Sequence, residues 1–589
     1  MDPRTAAHVL DRISALLELK GESSFKTRAY QSAARAVSAL ETDDIAPLLR
    51  SGELERVPGV GPATLAVLRD LVTSGEWTLL DRLLEDTPEG LLELLRVPGL
   101  GTAKIHTIHE ALGVSTLDEL EAAAVDGRLA TLKGFGPRTA EKIAKGIAFL
   151  RETGRLALYP HAVVEAAQLL ADVRRHPDVL EAAVAGSVRR RREVVDDVDI
   201  VAAVQGSAAV VAASFARGPG VRETEGSGGR SVRLHYVDGT RLDLHCVRPE
   251  HFAVALWRAT GSAEHVAEVV AHARTRGLTL AEDELLDATG AALPVPSEAA
   301  LYARVGLAFV PPELREGRGE VAAAAGGALP TLLEPADIRG VLHCHSQHSD
   351  GTASIREMAA AAEAHGWSYL GISDHSQSAF YAGGMSPDAV RRQHDEIDAV
   401  NAELAARDAR FRVLKGIEAD ILPDGHVDYG GEVLEAFDYV IGSVHSRFGM
   451  SEREMTDRVC RALEDPHLTI LGHPTGRLLL SRAAYAIDME AVIEKAADVG
   501  AAVELNADPH RLDLDWRLCR RAKALGVPVE IGPDAHSTRG LDNVEIGVGI
   551  ARKGWLEAGD ILNARSADEV LAFARRRRAR GANGSRRGR

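Results

Sequence analysis

The sequence is poor in cysteine, in long apolar runs and in net positive charge. Its four cysteines, Cys246, Cys344, Cys460 and Cys519, stand far apart, which is typical of a reducing compartment rather than of a disulfide framework. Because no apolar run is long enough to span a bilayer and the first residues show no signal peptide, we expect a cytoplasmic, nucleoid-associated protein with no membrane partner. A net charge of −17 argues against a simple nucleic-acid binder, although local basic grooves remain compatible with it.

What is present indicates several domains and a metal site. A chain of 589 residues is too long for one hydrophobic core. Its 45% hydrophobic and 26% charged residues are ordinary for a globular protein. Many of the 22 histidines crowd between residues 343 and 536, and clustered imidazoles favour metal binding.

A short glycine motif occurs three times near the N-terminus. Val-Pro-Gly-Val-Gly-Pro at residues 57–62 recurs at 97–102 and, more loosely, at 132–137, each time before a helical pattern. Gly-x-Gly at a helix start leaves backbone N–H groups at the positive end of the helix dipole, which suits a phosphate. One copy is equally explained by a tight turn, but three copies favour contact with a DNA backbone. The predicted contacts are Gly59, Gly61, Gly99, Gly101, Gly134 and Gly136.

Two carboxylates follow a Gly-Ser turn and a run of arginines. Alternate side chains of a strand share a face, so Asp197 and Asp199 point the same way and repel each other unless cations lie between them. Two Mg²⁺ ions bridging a triphosphate would remove the repulsion. Gly186-Ser187 offers N–H groups and a hydroxyl to phosphate, and Arg190 offers a bidentate fork. Alone, the pair is also compatible with a solvated turn.

A predicted hairpin supplies a third carboxylate. The alternating residues 231–236 turn at Asp238-Gly239 and return over 241–245. We therefore expect Asp243 on a strand beside the aspartate pair. Three carboxylates there would complete a two-metal site for in-line phosphoryl transfer.

In this order, the helix-hairpin-helix repeats, Gly-Ser-x-Arg-Arg, Asp-x-Asp and a later strand aspartate resemble a family X DNA polymerase over residues 1 to about 320. Thr-Gly-Ser at 260–262 and the segment 307–317 match further family landmarks. The resemblance implies that Asp197, Asp199 and Asp243 bind two Mg²⁺ or Mn²⁺ ions, with Asp243 acting on the primer 3′-hydroxyl. It implies nucleotide contacts from Gly186, Ser187, Arg190, Gly261 and Ser262, and a DNA 5′-phosphate contact from Lys26.

Three features depart from that family. Arg258 and Ala259 stand where an aromatic pair usually precedes Thr-Gly-Ser, so we predict weak discrimination against ribonucleotides. Val266 replaces an asparagine that contacts the new base pair. Ala63 and Val67 replace the lysines of lyase-active relatives, and because a Schiff base needs an amine we predict no deoxyribose-phosphate lyase activity.

In the C-terminal part, strand-like runs repeatedly end in metal-type ligands, with helical patterns between them. Ligands at the carboxyl ends of alternating strands and helices are typical of an α/β barrel active site. Mixed imidazole and carboxylate ligands suit Mn²⁺, Zn²⁺ or Fe²⁺ better than Mg²⁺ alone, and nine ligands suffice for about three ions. The nine candidates are His343, His345, Asp350, His375, Glu418, His445, His473, Asp534 and His536.

This ligand pattern resembles the PHP (polymerase and histidinol phosphatase) domain. The resemblance implies phosphoester hydrolysis, in which the ions lower the pKa of water and neutralise the developing charge. Arg447 is interpreted either as a ligand of the substrate phosphate or as a surface arginine, and Asn506 as a support for the metal ligands. Cys344 lies on the opposite face from its neighbours and is predicted to be core.

The predicted fold is multidomain, α+β and α/β, with a helical DNA-binding region, a nucleotidyltransferase-type polymerase core and a distorted α/β barrel. The expected domains are helix-hairpin-helix regions at 1–85 and 86–155, a catalytic palm at 156–248, a nucleotide-selection domain at 249–320, a linker at 321–336, a PHP domain at 337–573 and a basic disordered tail at 574–589.

The expected protein is a monomeric DNA repair polymerase that uses dNTPs to extend primer 3′ ends in gapped or nicked DNA. A tethered PHP domain would remove nucleotides 3′→5′, process 3′ ends and incise at abasic sites; the tether raises the effective concentration of the second active site. Three alternatives are a PHP nuclease with a catalytically weak polymerase half, a DNA end-binding scaffold, and a small-molecule phosphatase, for which the DNA-binding repeats would have no purpose.

Overall fold

The structure is a computed structural model that describes residues 3–587 except 39, 41, 43, 74–77, 86, 88, 96, 98–99, 154–155, 219–220, 227–228 and 237–239. It contains two compact units, Met1–Arg155 and Leu156–Arg589. The predicted DNA contact Gly99 and the predicted turn at Asp238-Gly239 lie outside the described residues. Within the described part of the chain, no helix is long and apolar enough to cross a membrane.

The first unit is helical. Its helices are α1 (Pro3–Leu19), α2 (Ser24–Ser38), α3 (Ala46–Ser51), α4 (Pro62–Thr73), α5 (Thr78–Glu85), α6 (Glu89–Leu94), α7 (Thr102–Leu112), α8 (Leu117–Val125) and α9 (Pro137–Thr153). Helices α4, α7 and α9 each begin directly after a Gly-x-Gly motif, as predicted. Pro62 and Pro137 occupy the first helical position, where the missing N–H costs nothing and the fixed φ favours the helix.

The second unit begins with a five-stranded sheet and its helices. The elements are β1 (Ala157–Leu158), α10 (Tyr159–Arg174), β2 (Val179–Val184), α11 (Gly186–Arg189), β3 (Val194–Val195), β4 (Val198–Val204), α12 (Ala208–Phe215), β5 (Val221–Glu225), β6 (Ser231–Tyr236) and β7 (Arg241–Val247). The strand order of the sheet is β2-β4-β7-β6-β5, and in it the β4–β7 pair is parallel and the other pairs are antiparallel. Strand β4 is buried on both faces: Ile200 packs in a cluster with α10 and α12 residues, whereas Val201 packs with Phe252 and Leu256.

A small helical domain follows the sheet. It contains α13 (Phe252–Thr260), α14 (Ala263–Thr275), β8 (Thr279–Leu280), β9 (Leu285–Leu286), β10 (Ala292–Leu293), α15 (Glu298–Arg304) and α16 (Glu320–Gly326). The predicted linker at 321–336 is wrong in its first part, because its alanine run forms α16 and buries Val321 and Ala324 in this domain's core. Alanine has the highest helix propensity, and Gly327 in the left-handed conformation ends the helix.

The remainder of the chain forms a nearly closed barrel of seven parallel strands in sequential order. Its elements are β11 (Gly340–Val341), α17 (Ile355–Ala364), β12 (Tyr369–Ile372), α18 (Pro387–Ala406), β13 (Arg412–Asp420), α19 (Gly431–Leu434), β14 (Tyr439–Ser443), α20 (Glu452–Glu464), β15 (Leu468–Leu471), α21 (Met489–Val499), β16 (Ala502–Asn506), α22 (Trp516–Ala524), β17 (Val529–Gly532), α23 (Asn543–Lys553) and α24 (Ala567–Arg587). A parallel bridge from Cys344 to Ala535 joins the first and last strand ends, and Cys344 is fully buried, as predicted.

The predicted disordered tail at 574–589 is also wrong where the structure describes it. Helix α24 continues to Arg587. Ala574 packs with Tyr369 and Tyr439 in the barrel. Arg577 is buried and donates a hydrogen bond to the carbonyl of Asp465 at 2.8 Å. The arginine-rich pattern predicts solvated side chains, but the apolar stem of an arginine can be buried when its charged head finds a partner, as in Arg577.

Candidate active sites

The three predicted polymerase carboxylates meet at one end of the β4–β7 pair. Asp199 and Asp243 are direct partners in the parallel register, and Asp197 immediately precedes β4. Arg233 on β6 lies opposite Asp243 and donates to it from Nε to Oδ1 and from Nη2 to Oδ2, each at 2.6 Å. Its Nη2 atom is also 3.9 Å from Asp197 Oδ2. We did not predict Arg233, although the predicted hairpin places its strand beside that of Asp243.

The electrostatics of this triad favour added cations. Burial and the neighbouring Asp197 and Asp243 raise the pKa of Asp199 to about 7. Burial and Asp243 likewise raise the pKa of Asp197. A cavity of about 410 Å³ opens beside the triad and is lined by Asp199, Arg233, Asp243 and Ala259 among others. The carboxylate set therefore fits divalent ions that bridge to a phosphate.

The Gly-Ser turn is the start of α11 and packs directly on the triad. Gly186 has a φ of 57°, and a Cβ built there would overlap Asp199 Oδ2. The Ser187 hydroxyl is buried without a hydrogen-bond partner among the described residues, which suits a phosphate acceptor. Ser262 caps α14 by accepting from the His265 N–H at 3.1 Å, and Gly261 ends α13.

Arg190 is held by a network that the sequence analysis missed. Its guanidinium donates to Glu316 at 3.0 Å and to the Thr260 carbonyl at 2.8 Å. Lys553, at the end of barrel helix α23, also donates to Glu316 and reaches the Arg190 carbonyl at 3.1 Å. Lys553 is fully buried, and burial lowers its pKa to about 8. The barrel thus braces the arginine predicted to bind triphosphate.

The positions that depart from the polymerase family form no aromatic wall. Arg258 turns away to donate to the carbonyls of Glu282 at 2.6 Å and Ala281 at 2.8 Å. Ala259 lines the cavity beside the carboxylates, and Val266 packs against the core of the small helical domain.

The nine predicted barrel ligands gather at the carboxyl ends of the strands. His343 and His345 follow β11, His375 follows β12, and Asp534 follows β17. Glu418 lies two residues before the end of β13. Parallel strands bring all their carboxyl ends to one rim, which is why ligands distant in sequence meet there. The others, Asp350, His445, His473 and His536, lie on loops at the same rim.

The ligand atoms form three overlapping sets, each within 4.8 Å. The sets are His345, Asp350, His375 and His536; His343, His345 and Asp534; and His375, Glu418 and His445. The ninth ligand, His473, joins them with its Nε2 atom 2.9 Å from Glu418 Oε1 and 3.4 Å from His445 Nε2. Within the described ranges, sets this compact occur only in the barrel.

Buried, unpartnered nitrogens show that this cluster fits metal ions. Within the described part of the chain, His343 Nε2 and both ring nitrogens of His345 are buried without a hydrogen-bond partner. Burial and then His375 lower the pKa of His345 to about 4, so its imidazole is neutral and free to ligate. Buried ring nitrogens without a partner are costly unless an ion or another partner occupies the site.

A second layer of carboxylates orients the ligands. Glu504 accepts from His343 Nδ1, and Asp420 accepts from His445 Nδ1 at 2.8 Å. Asn506 donates to Asp534 Oδ2 at 3.0 Å, which supports the role proposed for it. Carboxylate–imidazole pairs of this kind fix the tautomer and raise the basicity of the ligand nitrogen. The sequence did contain a signal for Asp420 and Glu504. Each lies two residues along a strand from a predicted site residue, Glu418 or Asn506, and residues two apart in a strand share a face.

Two arginines are candidates for contact with the substrate phosphate. The predicted residue, Arg447, is exposed on the loop after His445 and has a φ of 60°. Arg511 was not predicted; its Nε atom lies 3.3 Å from Asp534 Oδ2. The structure therefore places Arg511, rather than Arg447, in direct contact with the predicted metal ligand Asp534.

The predicted DNA contacts of the first unit lie at helix starts. The Gly61 N–H is capped by Thr64 Oγ1 at 2.9 Å, and Gly101 precedes α7 without a side-chain cap. Gly134 has a φ of 91°, which permits the turn before Gly136 and α9. Gly59 has a φ of 97° for the same reason, and Lys26 pairs with Glu22 at 3.0 Å on an exposed helix face.

Comparison with known families matches four regions. The matches are a helix-hairpin-helix domain at residues 1–77, a SAM-like helix-hairpin-helix tandem at 91–148, a DNA polymerase beta thumb at 255–316 and a PHP domain at 342–507. They agree with the two types of site described above.

Comparison with individual proteins extends these matches to almost the whole chain. The chain is 37% identical over 580 residues to the DNA polymerase/3′-5′ exonuclease PolX of Bacillus subtilis (strain 168), which covers 98% of this chain and 100% of that protein. A probable phosphatase of Syntrophotalea carbinolica is 32% identical over 211 residues, covering 33% of this chain and 79% of that protein. The fold, both sites and the full-length match together show that the chain belongs to the PolX family of DNA polymerase/3′-5′ exonucleases.

Proposed function

We propose that the protein fills short gaps in DNA by template-directed nucleotidyl transfer and trims or cleans the same 3′ ends with its PHP barrel. The observation that carries the proposal is the presence of two separate metal-type constellations, the Asp199–Asp243 pair and the nine-ligand cluster, within Leu156–Arg589. Each suits a phosphoryl-transfer reaction on a nucleotide.

In the polymerase half, Asp197, Asp199 and Asp243 would hold two Mg²⁺ or Mn²⁺ ions, which would neutralise the triphosphate and activate the primer hydroxyl. The unpartnered Ser187 hydroxyl supports a contact with the triphosphate. Asp243 would orient the primer 3′-hydroxyl or accept its proton. For this, the Arg233 fork on Asp243 must loosen when the ions enter.

In the barrel, the nine ligands would hold about three Mn²⁺, Zn²⁺ or Fe²⁺ ions, which would activate water and stabilise charge on the phosphate. Arg511 supports the idea of an anionic substrate, because its charge lies at the cluster edge beside Asp534. We propose 3′→5′ removal of nucleotides as the main reaction, with 3′-phosphate cleaning and abasic-site incision as further reactions of the same chemistry.

The substrates proposed are gapped or nicked DNA, primer 3′ ends and dNTPs, used by a monomer at the cytoplasmic nucleoid in base excision repair. The Gly-x-Gly motifs that precede α4, α7 and α9 in the sequence support binding of the DNA backbone. Lys26 is proposed as a 5′-phosphate contact. Deoxyribose-phosphate lyase activity is not proposed, because Ala63 and Val67 carry no amine.

A second candidate is a PHP nuclease whose polymerase half is catalytically weak and mainly holds DNA. Ala259 in the nucleotide cavity and Val266 in the core motivate it, because neither offers a polar or aromatic contact to the incoming nucleotide.

Primer extension and primer degradation on a gapped duplex with Mg²⁺ or Mn²⁺ test these proposals. Asp197→Ala combined with Asp199→Ala is expected to abolish extension and spare degradation. His343→Ala combined with His345→Ala should do the reverse. A wild-type protein that never extends a primer favours the second candidate, and loss of degradation in the aspartate variant contradicts the assignment of the two reactions to separate sites.

A further inference from the structure

Two large aromatic side chains are exposed beside the barrel cluster. Phe380 and Tyr381 lie on a short 3-10 helix, Phe380–Ala382, and are 85% and 63% exposed. Exposed apolar side chains that are adjacent rather than scattered mark interaction sites.

Tyr381 stands at the rim of the metal-ligand cluster. Its ring centroid is 6.4 Å from that of His375 and 6.2 Å from that of His445, both metal-ligand candidates. Phe380 extends the surface outward, with its ring 6.4 Å from Tyr381 and nearly perpendicular to it. We call these two side chains the aromatic pair.

The segment that carries the aromatic pair is well anchored. Ala379 and Ala382 on either side are buried, and the Ser378 N–H donates to Asp428 at 2.8 Å. A parallel bridge joins Ser376 to Met385. The backbone therefore holds both rings outward, because its buried flanks cannot turn over to hide them.

We propose that the aromatic pair is a stacking surface for a nucleobase of the DNA strand whose 3′-terminal phosphodiester lies in the barrel cluster. The inference rests on the proposed exonuclease function and gives its substrate class. A base is joined to its phosphate through one sugar, so a phosphate at His375 and His445 places a base beside Tyr381. Stacking on aromatic rings accepts every base, as required for removal of nucleotides regardless of sequence.

Other occupants fit less well. Two rings are too small a surface for a stable protein interface, which needs roughly 1,000 Å². A small phosphate ester would reach the cluster without touching Phe380. The arginine at the cluster edge, Arg511, supplies positive charge for a nucleic-acid backbone.

The test combines side-chain truncation with removal of a base. Tyr381→Ala, Phe380→Ala and Tyr381→Phe are compared with wild type on single-stranded oligonucleotides that are normal, or that carry an abasic tetrahydrofuran residue at the 3′-terminal or the penultimate position. Leu180→Ala, a truncation of an exposed apolar side chain on β2, is the matched control. Thermal unfolding confirms that each variant is folded.

Tyr381→Ala is expected to raise KM for normal DNA about tenfold with little change in kcat, and Phe380→Ala to act in the same direction but less. Tyr381→Phe should behave as wild type. For one of the two abasic oligonucleotides, the KM of the wild-type protein should itself be about tenfold higher than for normal DNA. Tyr381→Ala should not raise the KM for that oligonucleotide any further.

Equal losses from Tyr381→Ala on normal and on both abasic oligonucleotides would overturn the stacking inference while leaving the exonuclease intact. No loss on any oligonucleotide would overturn it as well. Failure of wild type to degrade DNA at all would instead overturn the proposed function of the barrel.

Discussion

The polymerase carboxylates and the barrel cluster solve the same electrostatic problem in different ways. In the polymerase half, Arg233 is the one side chain among the described residues that forms ion pairs with any of the three carboxylates, and it binds both oxygens of Asp243. In the barrel, carboxylates alternate with imidazoles, so that Glu418 lies within 3.5 Å of His343 and 2.9 Å of His375 and His473. The polymerase site therefore carries excess negative charge, whereas in the barrel the imidazoles offset the charge of the carboxylates.

This difference distinguishes a triad in which an arginine occupies one carboxylate from a cluster whose side chains are already oriented. The triad depends on strand register and carries Arg233 on Asp243, and its cavity is open beside Ala259. The barrel ligands are largely buried and are oriented by outer carboxylates such as Glu504 and Asp420. We therefore expect the polymerase site to respond most to changes in backbone placement and the barrel site to changes in its second layer of residues.

The largest expected effect is on the polymerase site, from Gly186→Ala. The added methyl group overlaps Asp199 Oδ2, and the φ of 57° disfavours any side chain, so the carboxylate and the turn must separate. A displacement of about 1 Å costs roughly a hundredfold in rate. Single-turnover extension should fall by at least that factor.

Gly206→Ala is the control, since its φ of 78° is equally left-handed but nothing lies within 4 Å of the added carbon. Extension that survives Gly186→Ala, or that falls equally in both variants, contradicts a packed turn at the carboxylates. Degradation by the barrel should be unchanged in both.

The second largest effect is expected from Glu504→Gln, which should reduce degradation by the barrel and leave primer extension unchanged. The amide keeps the shape but removes the charge that orients His343, and loss of such partners costs about 10- to 100-fold in metal affinity or activity. When degradation is measured as a function of Mn²⁺ concentration, the Mn²⁺ requirement should rise or the rate should fall by that factor. Glu435→Gln, which removes the charge facing His467 on the surface, should not shift it; an equal shift in both would refute preorganisation by Glu504.

A smaller effect should cross from the barrel to the polymerase site, from Lys553→Met. Without the buried ammonium, Glu316 keeps only Arg190 and Arg192 of these three partners. We expect this loss to shift Arg190, the arginine predicted to bind the triphosphate. We expect about a tenfold rise in KM for dNTPs with kcat little changed, because binding rather than chemistry is affected.

Lys523→Met, which removes a partly exposed lysine from the same barrel, is the control and should leave the KM for dNTPs alone. A Lys553→Met protein that folds and binds dNTPs normally would show that the two halves do not communicate through Glu316. Lys553→Arg should restore the KM in part, since it keeps the charge.

The smallest expected effect is the difference between deoxyribonucleotides and ribonucleotides as substrates of the polymerase site. Because Ala259 lines the cavity beside the carboxylates and Arg258 is turned toward backbone carbonyls, neither side chain can strongly reject an added 2′-hydroxyl. The kcat/KM values for deoxyribonucleotides and ribonucleotides should differ by less than about tenfold. Selectivity of a thousandfold or more in single-nucleotide kinetics would refute this interpretation.

The elements that could be predicted from the sequence are those with a local signal. Alternation and the Asp-Gly turn predicted the β6–β7 hairpin, and strands ending in histidine or carboxylate predicted the barrel and the ligand gathering at its rim. It failed at 321–327 and 574–587, where alanine- and arginine-rich runs suggested a linker and a tail. Their helices are stabilised by partners distant in the chain, such as the Asp465 carbonyl that accepts from Arg577.

By itself, then, the sequence determined which residue types could ligate metals and phosphates and on which strands they lie, because strand periodicity and turn chemistry are short-range. Only the tertiary structure decided which charged groups meet: Arg233 with Asp243, Glu504 with His343, and both Lys553 and Arg190 with Glu316. It also decided that Phe380 and Tyr381 stand exposed at the cluster rim. Burial and long-range register set those pairings, and neither is encoded in any single stretch of chain.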